Sequence, residues 1–298
     1  VQLIIGDQRG DLDDHAGRWV QPGHLQIHPH QHAWTVPRST GVPSPQMDEP
    51  PIQPASTVML IRDADPCSGQ QGVQVFMLRR TQTAVFAGGM YVFPGGRVDA
   101  TDGEPDSDWA FRVAAIRECF EEAGVLLATI DGKPIGDDCP ALRHRYDIHD
   151  ATMTMDELCQ RYNLRLAVED LVWLQHWITP RGETPRRFDT RFYVVAHPSA
   201  QHSETHDEHE TVASMWVTAS EALHAHHNGR LVMLPPTVAA LQFLADHPDV
   251  DSTLAAARRI GVPEVILPKI APGALTEGLG LLGLNLLMPG DPGYDELD

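Results

Sequence analysis

The stretch that decides the reading is Arg117-Glu-Cys-Phe-Glu-Glu-Ala-Gly-Val125, with Phe93-Pro-Gly-Gly96 ahead of it. Glu118, Glu121 and Glu122 stand at i, i+3 and i+4, so a helix places all three on one face. Carboxylates that close repel one another, and their ionised forms are disfavoured. A divalent cation relieves the repulsion, and an all-oxygen ligand set suits Mg²⁺ or Mn²⁺. Arg117 precedes Glu121 by four residues and can pair with it. Gly124 ends or bends the helix. A solvated acidic helix face is the plain alternative, and the glutamates alone do not decide against it. The Pro-Gly-Gly loop upstream and the Arg-Glu-x-x-Glu-Glu-x-Gly-Val order do.

This arrangement resembles the box of the Nudix hydrolases, G-x5-E-x7-R-E-U-x-E-E-x-G-U with U apolar. The second half matches when Cys119 counts as apolar, and Gly96 falls on the leading glycine. The spacing departs: 20 residues separate Gly96 from Arg117, where the family pattern has thirteen. Counting back from Arg117 at family spacing lands on Trp109, so Glu104, just after Gly103, is the candidate for the supporting glutamate. The resemblance implies an α+β Nudix fold, a mixed β-sheet sandwiched between helices. It implies Glu118, Glu121 and Glu122 as metal ligands and catalytic carboxylates, with the Gly95 carbonyl as a further ligand. The implied reaction is attack of water on one phosphorus of a nucleoside-diphosphate derivative.

Outward from this core, Thr57–Ile61 and Val73–Leu78 read as buried strands, and Met90–Phe93 as a short third. A helix is expected from Ser107 or Asp108 to Leu127, with Asp108 as its N-cap. Helices are also expected at Met155–Tyr162, Ser220–His227 (capped by Ser220), Pro235–Ala245 and Ser252–Ile260. Val172–Trp177, Arg191–Ala196 and Ala213–Val217 read as strands. No regular βαβ alternation runs through them, which fits α+β.

A later loop, Ser203–Glu210, is strongly acidic. Family resemblance makes Glu210 and Glu208 candidates for a further base or ligand. His202, His206 and His209 share the loop and could serve acid–base steps; a solvated loop is the alternative. Arg181, Arg186, Arg187 and Arg191 form the main basic cluster. Arg186 and Arg187, with Arg80, are candidates for forked contacts to substrate phosphates; pairing with Glu183 and Asp189 is the alternative. An insertion after Phe-Pro-Gly-Gly resembles a Nudix subgroup that includes peroxisomal coenzyme A diphosphatases. Trp177-Ile-Thr-Pro180, Arg186-Arg-Phe-Asp-Thr190 and Leu234-Pro-Pro-Thr237 are shared features. Of that subgroup's coenzyme A signature, Arg80, Gly89 and Phe93–Gly96 are in register. Thr81 replaces a Ser or Ala, and Val85 replaces an arginine.

The formal net charge of −19 opposes nucleic-acid backbones and anionic membranes at long range. The charge thus argues against nucleic acid and membrane as partners, and the family resemblance implies a small nucleoside-diphosphate substrate; a homodimer is left open. Cys67, Cys119, Cys139 and Cys159 form no CxxC pair, which fits reduced thiols and a cytoplasmic location. Residues 1–52 read as a disordered or mis-assigned extension, with Met47 as an alternative start. His28, His30 and His32 there would share a strand face, but no fourth ligand accompanies them. Residues 53–262 read as the hydrolase domain and 263–298 as a Pro/Gly-rich tail. A nucleotide-sensing Nudix domain without turnover is the competing function, disfavoured by the intact glutamates.

Overall fold

The computed structural model describes residues 50–65, 67, 69–82, 84, 87–182, 186–207, 210–271 and 286–297. The expectations for residues 1–49, with the three histidines and Met47, and those for Val85, Glu183, Glu208 and His209 lie outside the described residues.

The chain forms β1 (Ile52–Asp63), β2 (Val73–Arg80), β3 (Tyr91–Val92), β4 (Gly95–Arg97) and α1 (Asp108–Ala123). Then come β5 (Ala128–Ile130), β6 (Lys133–Pro134), α2 (Arg145–His149), α3 (Met155–Tyr162) and β7 (Arg165–Leu166). The second half gives β8 (Val172–Ile178), β9 (Arg187–Ala196), β10 (Thr211–Thr218), α4 (Ala219–His227), α5 (Pro235–Ala245) and α6 (Val250–Ile260). Short strands β11 (Val265–Ile266), β12 (Lys269–Ile270) and β13 (Leu286–Leu287) follow.

The main sheet runs β10-β2-β1-β9-β8-β11, with β3 added to β2 and β4 to β1. It is mixed, because β1–β9 and β11–β8 are parallel and the other pairs antiparallel. The unbroken apolar run Val58-Met-Leu-Ile61 has a simple cause: both faces of β1 are covered. Val58 and Leu60 pack with Ile116 and Phe120 of α1. Met59 and Ile61 pack with Leu241 of α5 and Leu254 of α6. The expected α+β architecture, a mixed sheet between helices, is therefore observed.

Local chemistry corrects two expected caps. Ser107, not Asp108, caps α1: its hydroxyl accepts the Ala110 N–H at 3.1 Å. Asp108 instead holds Arg112 and Arg191 at 2.6 and 3.0 Å. Thr218, not Ser220, caps α4, because Glu221 three residues on completes a capping box with it. The helix α1 stops at Ala123 rather than Leu127, since Gly124 turns left-handed at φ 74°. The Pro/Gly-rich tail joins the fold, because β11 extends the sheet beside β8.

Gly124 is required twice over: by that φ, and by the Arg145 guanidinium, which a Cβ would approach at 3.1 Å. Gly124→Ala is expected to cost about 1–2 kcal/mol, read as a lower urea midpoint at unchanged m-value.

Candidate active site

The helix α1 carries the glutamates beneath the β4 loop. Gly95 pairs with Thr57 and Gly96 with Ser56 of β1. The Gly95 N–H donates to the Glu122 carboxylate at 2.9 Å, tying loop to helix. The Glu118 carboxylate packs against Gly96; a Cβ there would meet Glu118 Oε1 at 2.4 Å, so a larger residue would displace that carboxylate. Glu122 is buried, and Glu118 and Glu121 are nearly so.

Arg117 organises this face. Its Nη1 donates to Glu118 at 2.8 Å and Glu121 at 3.2 Å. Its Nε and Nη2 grip Asp102 with a two-point contact at 2.9 and 3.0 Å, and Nη2 also reaches the Arg97 carbonyl at 2.7 Å. Burial works against the guanidinium charge, but Asp102, Glu118 and Glu121 outweigh it and hold it protonated. Asp102 lies in the inserted loop. It is the buried acid that steadies Arg117, whereas Glu104 is exposed and does not border the cleft. The insertion thus leaves the carboxylate face in place and supplies its own support.

Opposite α1, Arg80 lies 3.9 Å from Glu122 and 3.2 Å from Glu210. Glu210 is steered by its neighbours: its N–H donates to Asp207, and Thr81 N–H donates to the Glu210 carbonyl at 3.0 Å. The acidic loop is fastened to α1 by Arg145, which donates to the carbonyls of Glu121 and Thr205 at 2.9 and 3.0 Å. One cleft thereby gathers Glu118, Glu121, Glu122, Glu210, Arg80 and Arg117. Arg186 borders it as well. Arg187 does not: it is turned inward and donates to the Thr179 carbonyl at 3.2 Å. Arg191 is committed elsewhere, stacked over Phe111 at 3.8 Å. His202 and His206 do not border the cleft, whereas His149, at the end of α2, does.

Burial pushes the Glu118 carboxyl up to about 7; Arg117 offsets part of this and Glu121 adds to it. Glu122 is raised well above the ordinary carboxylate range by burial and then by the Glu118 charge. Glu121 is raised by burial too. Among the described residues no three acidic, His or Cys side chains are already gathered into a closed metal set. Glu118 and Glu121 are turned onto Arg117 instead. The donor chemistry still fits a hard divalent cation, because the cleft buries more negative charge than Arg80 and Arg117 neutralise.

These shifts carry a pH prediction. A carboxyl with a raised native pKa keeps a proton that the unfolded chain has lost. Its contribution is therefore complete below about pH 4.5 and is lost as pH rises to about 7. The metal-free protein should lose about 2–3 kcal/mol from this group across that window. Urea titrations of wild type and Glu118→Gln should converge at low pH and separate toward pH 7, the variant being the more stable. Parallel pH profiles would contradict the assignment.

A family model described as the NUDT19 Nudix domain matches residues 105–244, the span that holds the carboxylate helix. The chain carries a Nudix domain. Solved structures agree: a NUDIX hydrolase from Alicyclobacillus acidocaldarius superposes with a TM-score of 0.58 at 26% identity, covering 69% of this chain and 96% of that one. A Caenorhabditis elegans protein named as a nudix hydrolase is 32% identical over 179 residues, 60% of this chain and 58% of that one. The Gallus gallus acyl-coenzyme A diphosphatase NUDT19 is 30% identical over 171 residues, 48% of this chain and 44% of that one. The chain thus spans about half the length of the curated relatives it matches. No helix among the described residues of the Nudix domain is long and apolar enough to cross a membrane.

Proposed function

We propose that this Nudix domain is a divalent-metal-dependent pyrophosphohydrolase acting on a nucleoside-diphosphate derivative of the coenzyme A class. The observation that carries the reading is the buried carboxylate face of Glu118, Glu121 and Glu122, set against Arg80 and Glu210 across one cleft. Glu118, Glu121 and Glu122, with the Gly95 carbonyl, would hold Mg²⁺ or Mn²⁺. When bound, such an ion neutralises the diphosphate and lowers the pKa of water.

The chain's own groups supply the rest. Arg80 and Arg186 line the cleft where phosphate oxygens would lie, and a guanidinium fork suits them. Glu210, the loop carboxylate that borders the cleft, would accept a proton from the attacking water. Water adds at one phosphorus and the bridging P–O bond breaks, so two phosphomonoesters leave. The similarity to acyl-coenzyme A diphosphatases supports the substrate class.

A panel of coenzyme A, acyl-coenzyme A, ADP-ribose, NADH and a dinucleoside polyphosphate tests it with Mg²⁺ or Mn²⁺. Selective cleavage of the coenzyme A species, yielding 4′-phosphopantetheine or its acyl form and adenosine 3′,5′-bisphosphate, is the expected result. Binding without turnover of any member would favour the sensing function instead.

A further inference from the structure

The carboxylate cleft does not end at the glutamates. It continues past Thr57, Arg80, Gly95, Phe188 and Thr190 into a second cavity; those residues border both. Strand geometry explains the continuity. Phe188, Thr190 and Phe192 alternate along β9 and so share a face. Thr57 is paired with Phe192 and Trp177 with Thr190, which puts both on that face. The far walls are Leu234, Pro235 and Thr237 at the start of α5, Pro268 between β11 and β12, and Leu286 of β13. The last two lie outside the matched span of residues 105–244. They are pinned by Lys269, which donates to the Tyr294 and Leu297 carbonyls, and by Tyr294, whose hydroxyl donates to the Leu267 carbonyl at 2.6 Å.

Resting on the hydrolase reading, we propose that this cavity is the subsite for the uncharged, branched aliphatic arm of the diphosphate substrate, the pantoyl end of a coenzyme A molecule. Two observations select that arm over the nucleoside. First, Arg80 is the sole charged group among the described lining residues, and it stands at the mouth, engaged with Glu122 and Glu210. A nucleoside bearing a 3′-phosphate would enter with no cation to meet it, a heavy desolvation cost. Second, polar capacity inside is sparse: threonine hydroxyls at 57, 179, 190 and 237, of which Thr179 already accepts the Phe188 N–H at 3.0 Å. A base edge needs more partners than this; a quaternary carbon with two methyls, one hydroxyl and an amide does not. The cavity begins at Gly95 and Arg80, beside the carboxylates, so its occupant is the group joined directly to the diphosphate.

The test is saturation-transfer NMR with 4′-phosphopantetheine and, separately, adenosine 3′,5′-bisphosphate, each with Mg²⁺. In the wild type the geminal methyl protons should receive the strongest transfer. Leu286→Asp, which puts a charge in the wall, should weaken 4′-phosphopantetheine by at least about tenfold and change the bisphosphate less than about twofold. Leu286→Trp should do the same by volume, and thermal melts confirm that each variant folds. If Leu286→Asp does not fold, Leu286→Trp decides. Selective loss of the bisphosphate overturns the assignment, as does a 4′-phosphopantetheine signal that is absent in wild type or unmoved in the folded variants. Because binding is read without turnover, intact 4′-phosphopantetheine binding beside a silent hydrolysis panel would sink the enzyme reading and leave the subsite standing.

Discussion

Glu121→Gln is expected to lower kcat/KM for diphosphate cleavage by about 10³-fold while the protein stays folded. Glutamine keeps the shape of the side chain, and its carbonyl can still accept the Arg117 Nη1–H now made to Glu121 at 3.2 Å. What disappears is one negative charge on a face that would hold a divalent cation. A thousandfold loss corresponds to about 4 kcal/mol of transition-state stabilisation, the scale expected when a preorganised electrostatic group is removed. The substitution also relieves repulsion with Glu118, so thermal stability should hold or rise. Steady-state kinetics and a thermal melt on the same preparation decide it. An active variant would place the chemistry elsewhere.

The second large effect falls on stability. Arg117→Met is expected to destabilise the fold by about 3–5 kcal/mol, the range for breaking a buried ion pair from one side. The reason is Asp102. Its side chain is 1% exposed, and both its oxygens are engaged by the guanidinium. Methionine fills part of the volume but leaves that carboxylate without its cation, and it frees the Arg97 carbonyl contact that holds β4 over the helix. Asp102→Asn on the Arg117→Met background should recover part of the loss, because it removes the orphaned charge. A double-mutant cycle by urea unfolding reads the coupling. Additive losses would mean that the loop is held by something else.

The sandwich and the carboxylate face were legible because each rests on a periodicity. The β1 run shows that both its faces are covered, and the i, i+3, i+4 spacing of Glu118, Glu121 and Glu122 survives any change in the loop before them. The support for Arg117 was not legible. Glu104 has the residue type that the family pattern calls for, yet Asp102 is the one that the loop folds inward, and that depends on turns no spacing encodes. The same limit hid His149, which reaches the cleft only because α2 folds back across the end of α1. The arginines show it too. Arg187 opens β9 and Arg186 stands just before it, and the pattern alone could not say which borders the cleft. Caps were misplaced by one or two residues where adjacent side chains compete: Ser107 beside Asp108, Thr218 beside Ser220.

The most direct test of the central claim is a calorimetric titration of Mn²⁺ into the protein at a fixed pH near 7, run in two buffers of different ionisation heat. Glu118 and Glu122 both hold protons more tightly than ordinary carboxylates. Binding should therefore release protons, and the apparent heat should differ between the buffers. It should also be lost or greatly weakened in Glu122→Gln. Absence of Mn²⁺ binding, or binding unchanged in Glu122→Gln with no proton release, would contradict the account.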